Sequence, residues 1–481
     1  MAGLPAAMSA ADIPAAEALG RVHFVGIGGA GMSGIARIML ARGMAVSGSD
    51  ARESAATAAL RALGARVEIG HAATHLGDAD TVVVSTAIRE DNPEVVAARA
   101  GGLPVLPRAA ALAAVMRGRR GVAIAGTHGK TTTTSMLTVA LQHSGGDPSF
   151  AIGGNLNESG ANAHDGTGDV FVAEADESDG SFLLLTPQVA VVTNVEPDHL
   201  DHYGTAKAVE QAFVDFVARV APAGTLVVCA DDAGSRRLAR AARATGVKVR
   251  TYGQAADADV RVADLDTASG TARFRLVVHG RRRGLLALQL AGRHNALNAT
   301  AAYAAGLALG FASSDLIGGL AAFTGTRRRF ELKGIAAGVR VYDDYAHHPT
   351  ELTAVLTAAR EVARGGRVIA CFQPHLVSRT KFFAAEFGAA LALADEVVVM
   401  DIDAAREDPE PGVTGALVAD AVPLAAEHVT YEASWSATPA ILASMARPGD
   451  LVITFGAGDV TLVGPEVLLL LAERTAREAR P

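Results

Sequence analysis

Cysteine is scarce in this chain, with only Cys229 and Cys371 among 481 residues. The two lie far apart, each inside an apolar run. That excludes a disulfide framework or a cysteine zinc site and fits buried thiols of a reducing compartment. Long apolar runs are missing too, since no stretch reaches the roughly 18 uninterrupted residues of a membrane span. The first 20 residues are Ala-rich, but Asp12 and Glu17 interrupt them and no basic segment precedes them. They read as a loose N-terminal extension, not a signal peptide. An excess of positive charge is also lacking. The net charge is −8, which excludes nucleic acid as the main partner, because phosphate-backbone binding needs a basic surface. Short basic runs at Arg117–Arg120, Arg281–Arg283 and Arg327–Arg329 read as solvated faces or turns. The expectation is a cytoplasmic protein with no membrane and no nucleic-acid partner.

What is present is a globular composition, 50% hydrophobic and 20% charged, with no short-period repeat and no low-complexity linker. At about 100–200 residues per domain, the length predicts three. Apolar runs without alternation, each bounded by a turn, predict parallel strands covered by helices on both faces. They start at VHFVG from Val22, GVAIAG from Gly121 and VRVYDDY from Val339. The expected architecture is α/β: residues 1–20 as the extension, a Rossmann-like domain over 21–119, a P-loop ATPase domain over 120–325 and a Rossmann-like domain over 326–481. Residues 248–290 alternate instead, predicting a small antiparallel layer inside the second domain.

Two strand-to-helix turns carry the chemistry. Gly26-Ile27-Gly28-Gly29-Ala30-Gly31 fits G-x-G-x-x-G in the setting that makes the motif credible. Its glycines let the backbone approach a diphosphate whose charge is favoured at a helix N-terminus. Asp50 ends the next strand, near where a ribose-binding carboxylate sits. A dinucleotide is the first guess, but any nucleoside diphosphate suits the turn. The second turn runs Gly126-Thr127-His128-Gly129-Lys130-Thr131-Thr132. It is shorter than the usual P-loop, with Ile124 where the first glycine would stand. Its working parts are present: backbone amides for phosphates, Lys130 for the β- and γ-phosphates, and Thr131 for Mg²⁺. Glu174, at the end of an apolar strand, supplies the hard oxygen Mg²⁺ prefers. His199 follows the next strand among several acids and is a candidate second metal ligand or phosphate contact, whereas His202 reads as surface.

Taken together, HFVGIGGAGMSGIA, GTHGKTTT, EADESD, NVEPDHLDHYG, AGRHNALNATAA, RRRFE, DDYAHHPTE and FQPHLVSRT, in that order over about residues 21 to 458, resemble the Mur ligase family. The detail favours the member that adds the first amino acid. The resemblance implies that the first domain binds UDP-N-acetylmuramate, the second ATP, and that the third admits L-alanine. It places Gly28, Gly29, Ala30, Gly31, Met32 and Ser33 around the UDP diphosphate, with Asp50, His71 and Ser85 around the nucleotide and Asn155 on the substrate side. Lys130 and Thr131 would handle ATP phosphates and Mg²⁺, with Glu174 and His199 completing the metal sites. His294, Asn295 and Asn298 match an adenine-contacting segment, Arg329 an arginine reaching the phosphates, and Asp344 an acid near the ribose. Tyr345, His347 and Arg379 match positions that recognise the amino acid, Arg379 offering a bidentate fork to its carboxylate. Lys130, Glu174, His199 and Arg329 would form the catalytic set, in a monomer or weak homodimer. Two departures stand out. Several sister enzymes carry a carbamylated lysine downstream of the Asp-His motif, but residues 208–220 contain none, and one arginine of Arg327–Arg329 has no assigned role.

The implied mechanism activates a carboxylate as an acyl phosphate by attack on the ATP γ-phosphate. An amine then displaces phosphate, and positioning and charge stabilisation do most of the work. His199 and His347 are both candidates for the base that frees the amine. Three rival readings are a relative that attaches a preformed tripeptide, an NAD-dependent oxidoreductase built on the first turn, and a non-catalytic nucleotide-binding regulator.

Overall fold

The computed structural model describes residues 9–478 except Thr86, Ser269 and Arg406. The chain forms three α/β domains, each built on its own sheet. The first sheet is parallel, in the order β3-β2-β1-β4-β5, from β1 (Val22–Val25), β2 (Val46–Asp50), β3 (Arg66–Ile69), β4 (Thr81–Val84) and β5 (Val105–Pro107). All four residues of β1 are buried, as a strand covered on both faces requires. Emptying such a site, as in Phe24→Ala, costs about 3–5 kcal/mol. Helices α1 (Ala30–Ala41), α2 (Ala55–Ala62), α3 (Pro93–Ala100) and α4 (Arg108–Met116) connect the strands.

The second sheet has ten strands in the order β15-β14-β13-β12-β11-β10-β6-β9-β7-β8. They are β6 (Arg120–Ala125), β7 (Ser149–Ala151), β8 (Ala163–His164), β9 (Val170–Glu174), β10 (Val189–Val192), β11 (Thr225–Cys229), β12 (Lys248–Gly253), β13 (Val260–Asp266), β14 (Arg273–Val278) and β15 (Arg281–Ala287). The expected small antiparallel layer at 248–290 is corrected at its first two strands. β12 pairs parallel with β11, and β13 parallel with β12, so the segment extends the main sheet. Helix α5 (Lys130–His143) follows β6. Its first turns are Thr131 to Ser135, all buried. Such a run is a poor helix former, because β-branched side chains lose χ1 freedom. Tertiary packing holds the helix, and the hydroxyls of Thr134 and Thr138 donate back to the carbonyls of Lys130 and Thr134.

The loose extension also needs correcting. Residues 1–8 lie outside the described residues, but Ala10–Asp12 and Ala16–Leu19 form 3₁₀ turns. Ile13, Ala16 and Leu19 are buried in a core cluster that continues through the first domain into the central one, as far as Ala242. No periodic pattern announces this packing, which depends on three apolar side chains finding the domain surface.

By compactness the chain divides into two units. The first comprises residues 1–263, 275–286 and 297–323, and the second residues 264–274, 287–296 and 324–481. The second unit carries the six-stranded sheet β16-β17-β21-β18-β19-β20. Its strands are β16 (Glu331–Ala336), β17 (Val339–Asp344), β18 (Val368–Phe372), β19 (Glu396–Met400), β20 (Val429–Glu432) and β21 (Leu451–Phe455). β16 is antiparallel to β17 and the remaining pairs are parallel. Among the described residues no helix is long and apolar enough to cross a membrane.

Candidate active site

In the first unit both glycine turns leave the carboxyl ends of their sheets, where α/β folds bind ligands. Gly28 N–H donates to Asp50 Oδ2 at 2.8 Å, and a Cβ at Gly28 would lie 2.9 Å from the same oxygen. Asp50 thus holds the turn through its backbone, a use of that carboxylate the sequence did not suggest. His71 follows β3, with Nδ1 3.0 Å from Ser49 Oγ, and Ser85, after β4, lies beneath Gly26. Gly29, Ala30, Gly31, Met32 and Ser33 form the turn and the first residues of α1, and Ser33 N–H closes onto Gly29 O at 2.8 Å.

The P-loop needs glycine at both ends. Gly126 has φ +128°, and a Cβ there would sit 2.1 Å from Thr193 Oγ1. At Gly129, φ +81°, it would meet Asn298 Oδ1 at 2.6 Å. The second contact places Asn298 against the loop. His128 N–H donates to Asn194 Oδ1 at 2.8 Å, and Thr193 Oγ1 donates to His128 O at 2.5 Å. Thr127 and Thr132 are buried beside them. Lys130 Nζ donates to Gly126 O at 2.7 Å, Thr127 O at 3.1 Å and Glu177 Oε1 at 2.8 Å. Burial alone would lower its pKa, but Glu177, Asp176 and Glu174 outweigh this and raise it. Thr131 Oγ1 donates to Glu174 Oε1 at 3.0 Å, and Glu174 Oε2 accepts Gly153 N–H at 2.8 Å. Asn155 is half-buried two residues beyond Gly153. His199 takes a left-handed φ of +53° and brings Nε2 to 3.6 Å from both Glu177 Oε1 and Asp198 Oδ2. Burial disfavours its charged form, yet the Glu177 hydrogen bond and Asp198 prevail and raise its pKa. His202 is exposed.

Arg108, at the start of α4, links the first turn to the acidic loop after β9. A Cβ at Gly31 would meet its Nη1 at 2.7 Å, and its Nη2 donates to Asp176 Oδ2 at 3.0 Å. Burial would raise Asp176, but Arg108 and Lys130 hold it down at about 2. The loop after β7 adds a second tie, with Asn162 Nδ2 donating to Ala30 O at 2.8 Å. Sequence reasoning missed Arg108, Glu177 and Asn194. The only signal was an arginine just after the strand-ending Pro107 and acids clustered after Glu174.

The second unit gathers its own group. Guanidinium carbons of Arg328 and Arg329 lie 4.9 and 5.0 Å from the Tyr345 ring centroid, a cation–π arrangement. The Tyr345 ring in turn meets His347 edge-on at 5.3 Å. His347 Nδ1 lies 3.0 Å from Tyr345 O, and its backbone N–H donates to Glu351 Oε2 at 3.0 Å. Arg328 stands between Arg327 and Arg329 in the basic run. It donates to the carbonyls of Gly456, Ala457 and Gly458 and so anchors a loop. Arg328 and Phe330 both take left-handed φ, +59° and +50°, strain that neighbouring bonds must hold. Asp344 does part of this, accepting the N–H groups of Phe330 and Ala346 at 2.7 Å each. Burial pushes its carboxyl up to about 7, against the pull of Arg329. Arg379 is buried in the helix Val377–Leu391. His294 is half-buried, and desolvation lowers its pKa to about 4, while Asn295 Nδ2 donates to Ala291 O at 2.8 Å.

Comparison with known proteins agrees with this layout. Family models match three consecutive blocks: Mur ligase family, catalytic domain, over residues 21–120; Mur ligase middle domain over 124–306; and Mur ligase, glutamate ligase domain over 328–458. The UDP-N-acetylmuramate–L-alanine ligase of Saccharopolyspora erythraea is 61% identical over 468 residues, 96% of this chain and 94% of that one. The protein of the same name from Kineococcus radiotolerans is 62% identical over 460 residues, 95% and 97% of the two chains. Among solved structures, the UDP-N-acetylmuramate–alanine ligase of Thermotoga maritima superposes with a TM-score of 0.79 at 29% identity, covering 95% of this chain and 99% of that one. A murein peptide ligase from Psychrobacter arcticus gives 0.70 at 25%, covering 94% and 98%.

Proposed function

This chain belongs to the Mur ligase family, and on that premise we propose that it joins L-alanine to the lactyl carboxylate of UDP-N-acetylmuramate at the expense of ATP, in peptidoglycan precursor synthesis. The reading is supported by identities of about 60% to relatives named for that reaction. Support from this chain's own geometry is the short path from Gly31 through Arg108 and Asp176 to Lys130. It lets a sugar-nucleotide acid on the first turn reach a triphosphate on the second. The glycine turn therefore serves a sugar diphosphate, and no nicotinamide is needed.

A carboxylate does not react with an amine at neutral pH. In the proposed sequence the lactyl carboxylate attacks the ATP γ-phosphorus in line, forming an acyl phosphate and releasing ADP. The amine of L-alanine then attacks the acyl carbon, and phosphate leaves from the tetrahedral intermediate. The backbone amides from Gly126 to Thr132 and the ammonium of Lys130 hold the triphosphate, and Arg329 stabilises charge on the transferring group. Asn295, Asn298 and His294 take the adenine, Asp344 the ribose side, and Tyr345, His347 and Arg379 the amino acid. Thr131 Oγ1 and the Glu174 carboxylate are hard oxygens held 3.0 Å apart, a donor pair that fits Mg²⁺, with His199 as a further ligand. Bound there, the ion would neutralise phosphate charge. With His199 committed to the ion as a neutral ring, His347 is the candidate that remains for the amine's base. The protein works in the cytoplasm as a monomer or weak homodimer, with no membrane or nucleic-acid partner.

The test is phosphate release with ATP, Mg²⁺ and UDP-N-acetylmuramate, with and without L-alanine. Release that requires L-alanine supports the reading. Release that requires a preformed tripeptide, or none with either, overturns it.

A further inference from the structure

One buried acid in the first domain has no part in the mechanism above. Glu94, the second residue of α3, is 0% exposed and accepts from several directions. Ser49 Oγ donates to Oε2 at 2.6 Å, and His23 Nε2 lies 3.1 Å from the same oxygen. Ala72 N–H donates to Oε1 at 3.1 Å, and His75 Nδ1 lies 3.2 Å from it. His71 Nδ1 is 3.0 Å from Ser49 Oγ and 3.5 Å from Glu94 Oε1. Burial would raise the Glu94 pKa, but hydrogen bonds from His23 and Ser49 overcome it and hold the carboxyl at about 2. An ionised carboxylate only accepts.

Proton counting then settles the His71 ring. Ser49 has one hydroxyl proton and gives it to Glu94, so its oxygen can only accept from His71. The proton of neutral His71 is therefore on Nδ1, and Nε2 carries a lone pair. The ring is 21% exposed and stands where β3 ends, beside Asp50, whose carbonyl accepts Gly70 N–H at 2.8 Å. We propose that Glu94 is a positioning residue for the nucleoside half of the sugar nucleotide. Through Ser49 it fixes the Nδ1–H form of His71, which presents Nε2 as a hydrogen-bond acceptor to a donor on the nucleoside, either the uracil imino N–H or a ribose hydroxyl. The diphosphate, which only accepts, is excluded as the partner of that lone pair.

This inference rests on the UDP-sugar reading of the first turn. The test uses the full chain with histidine ¹⁵N labelling, in which two-bond correlations separate Nδ1–H from Nε2–H rings, and a His71→Ala spectrum assigns the signal among 14 histidines. Wild-type His71 should show Nδ1–H, and finding Nε2–H overturns the inference without any variant. In Glu94→Gln the amide can donate to Ser49, turning the relay round, so His71 should move to Nε2–H. UDP affinity should then fall about tenfold, roughly one neutral hydrogen bond, while ATP affinity stays put. In the His71→Ala background Glu94→Gln should cost nothing. Wild type should bind N3-methyl-UDP about tenfold more weakly than UDP if the base is the donor, or 2′-deoxy-UDP if the ribose is. No discrimination against either analogue overturns the inference, as does a parallel loss of ATP affinity in Glu94→Gln, the mark of a merely structural role. A wild type that does not bind UDP overturns the functional reading and this inference with it, whereas one that binds UDP equally well after Glu94→Gln overturns this inference alone.

Discussion

Removing Glu177 should destabilise the central domain far more than removing a surface acid. Its carboxylate is 2.8 Å from Lys130 Nζ, with side-chain exposures of 2% and 15%, so solvent screens the pair little. Breaking such a pair from one side leaves a buried charge uncompensated and costs about 3–5 kcal/mol. In Glu177→Ala the ammonium keeps the carbonyls of Gly126 and Thr127, with Asp176 and Glu174 nearby, so the lower end, about 3 kcal/mol, is expected. Native-state hydrogen exchange of the β6 and α5 amides reads this locally, which suits a chain of several domains. The double variant Lys130→Met/Glu177→Ala should recover most of the loss, because no lone charge remains. The reasoning is refuted if Glu177→Ala costs less than about 1 kcal/mol, or if the double variant loses as much as the sum of the single ones.

Lys130→Ala should abolish turnover while UDP-N-acetylmuramate binding, followed calorimetrically, stays within about twofold of wild type; equal loss of both would count against separate cradles. Gly126→Ala places a methyl group against Thr193 at a φ of +128°, so ATP binding should fail and the domain should lose about 1–3 kcal/mol. Asp344 carries a pH signature. Its folded pKa of about 7 lies above the ordinary aspartate value of 3.8, so the folded state holds an extra proton between those values. Stability of the second unit should therefore fall as pH rises from about 4 to 7, by about 4 kcal/mol at most, and level off above. Urea unfolding followed by Trp435, the single tryptophan, should show this slope flattened in Asp344→Asn; an unchanged slope would assign it to another group.

The parts of the site legible in the sequence are those that chemistry forces on the backbone. Phosphates need bare amides, so Gly28, Gly126 and Gly129 are visible as glycines, and Thr131 and Glu174 are visible because both end or begin elements that meet at one sheet edge. Arg108 and Glu177 were hidden, because their roles depend on which side chains the packed domains bring together. Asp50 and Asp344 are expected from the sequence as acids beside a nucleotide; in the fold their oxygens serve backbone amides of strained or glycine-rich turns, a use with no sequence signature. The β12–β15 segment alternated in pattern and still joined the main sheet, since edge pairing is decided by the neighbouring strand and not by local propensity.

Glu174 stands at the last rung of a ladder in which Ile124 opposes it and Ala123 opposes Ala173. Side chains alternate faces along a strand, so inserting or deleting one residue within Val170–Glu174 would turn that carboxylate toward the opposite face. A length change among residues 157–160, at an exposed loop tip, would leave the rungs untouched. The permissible routes by which this chain can vary in length are thus set by main-chain pairing, and they run through the loops and never through the strands that end at Lys130's acids.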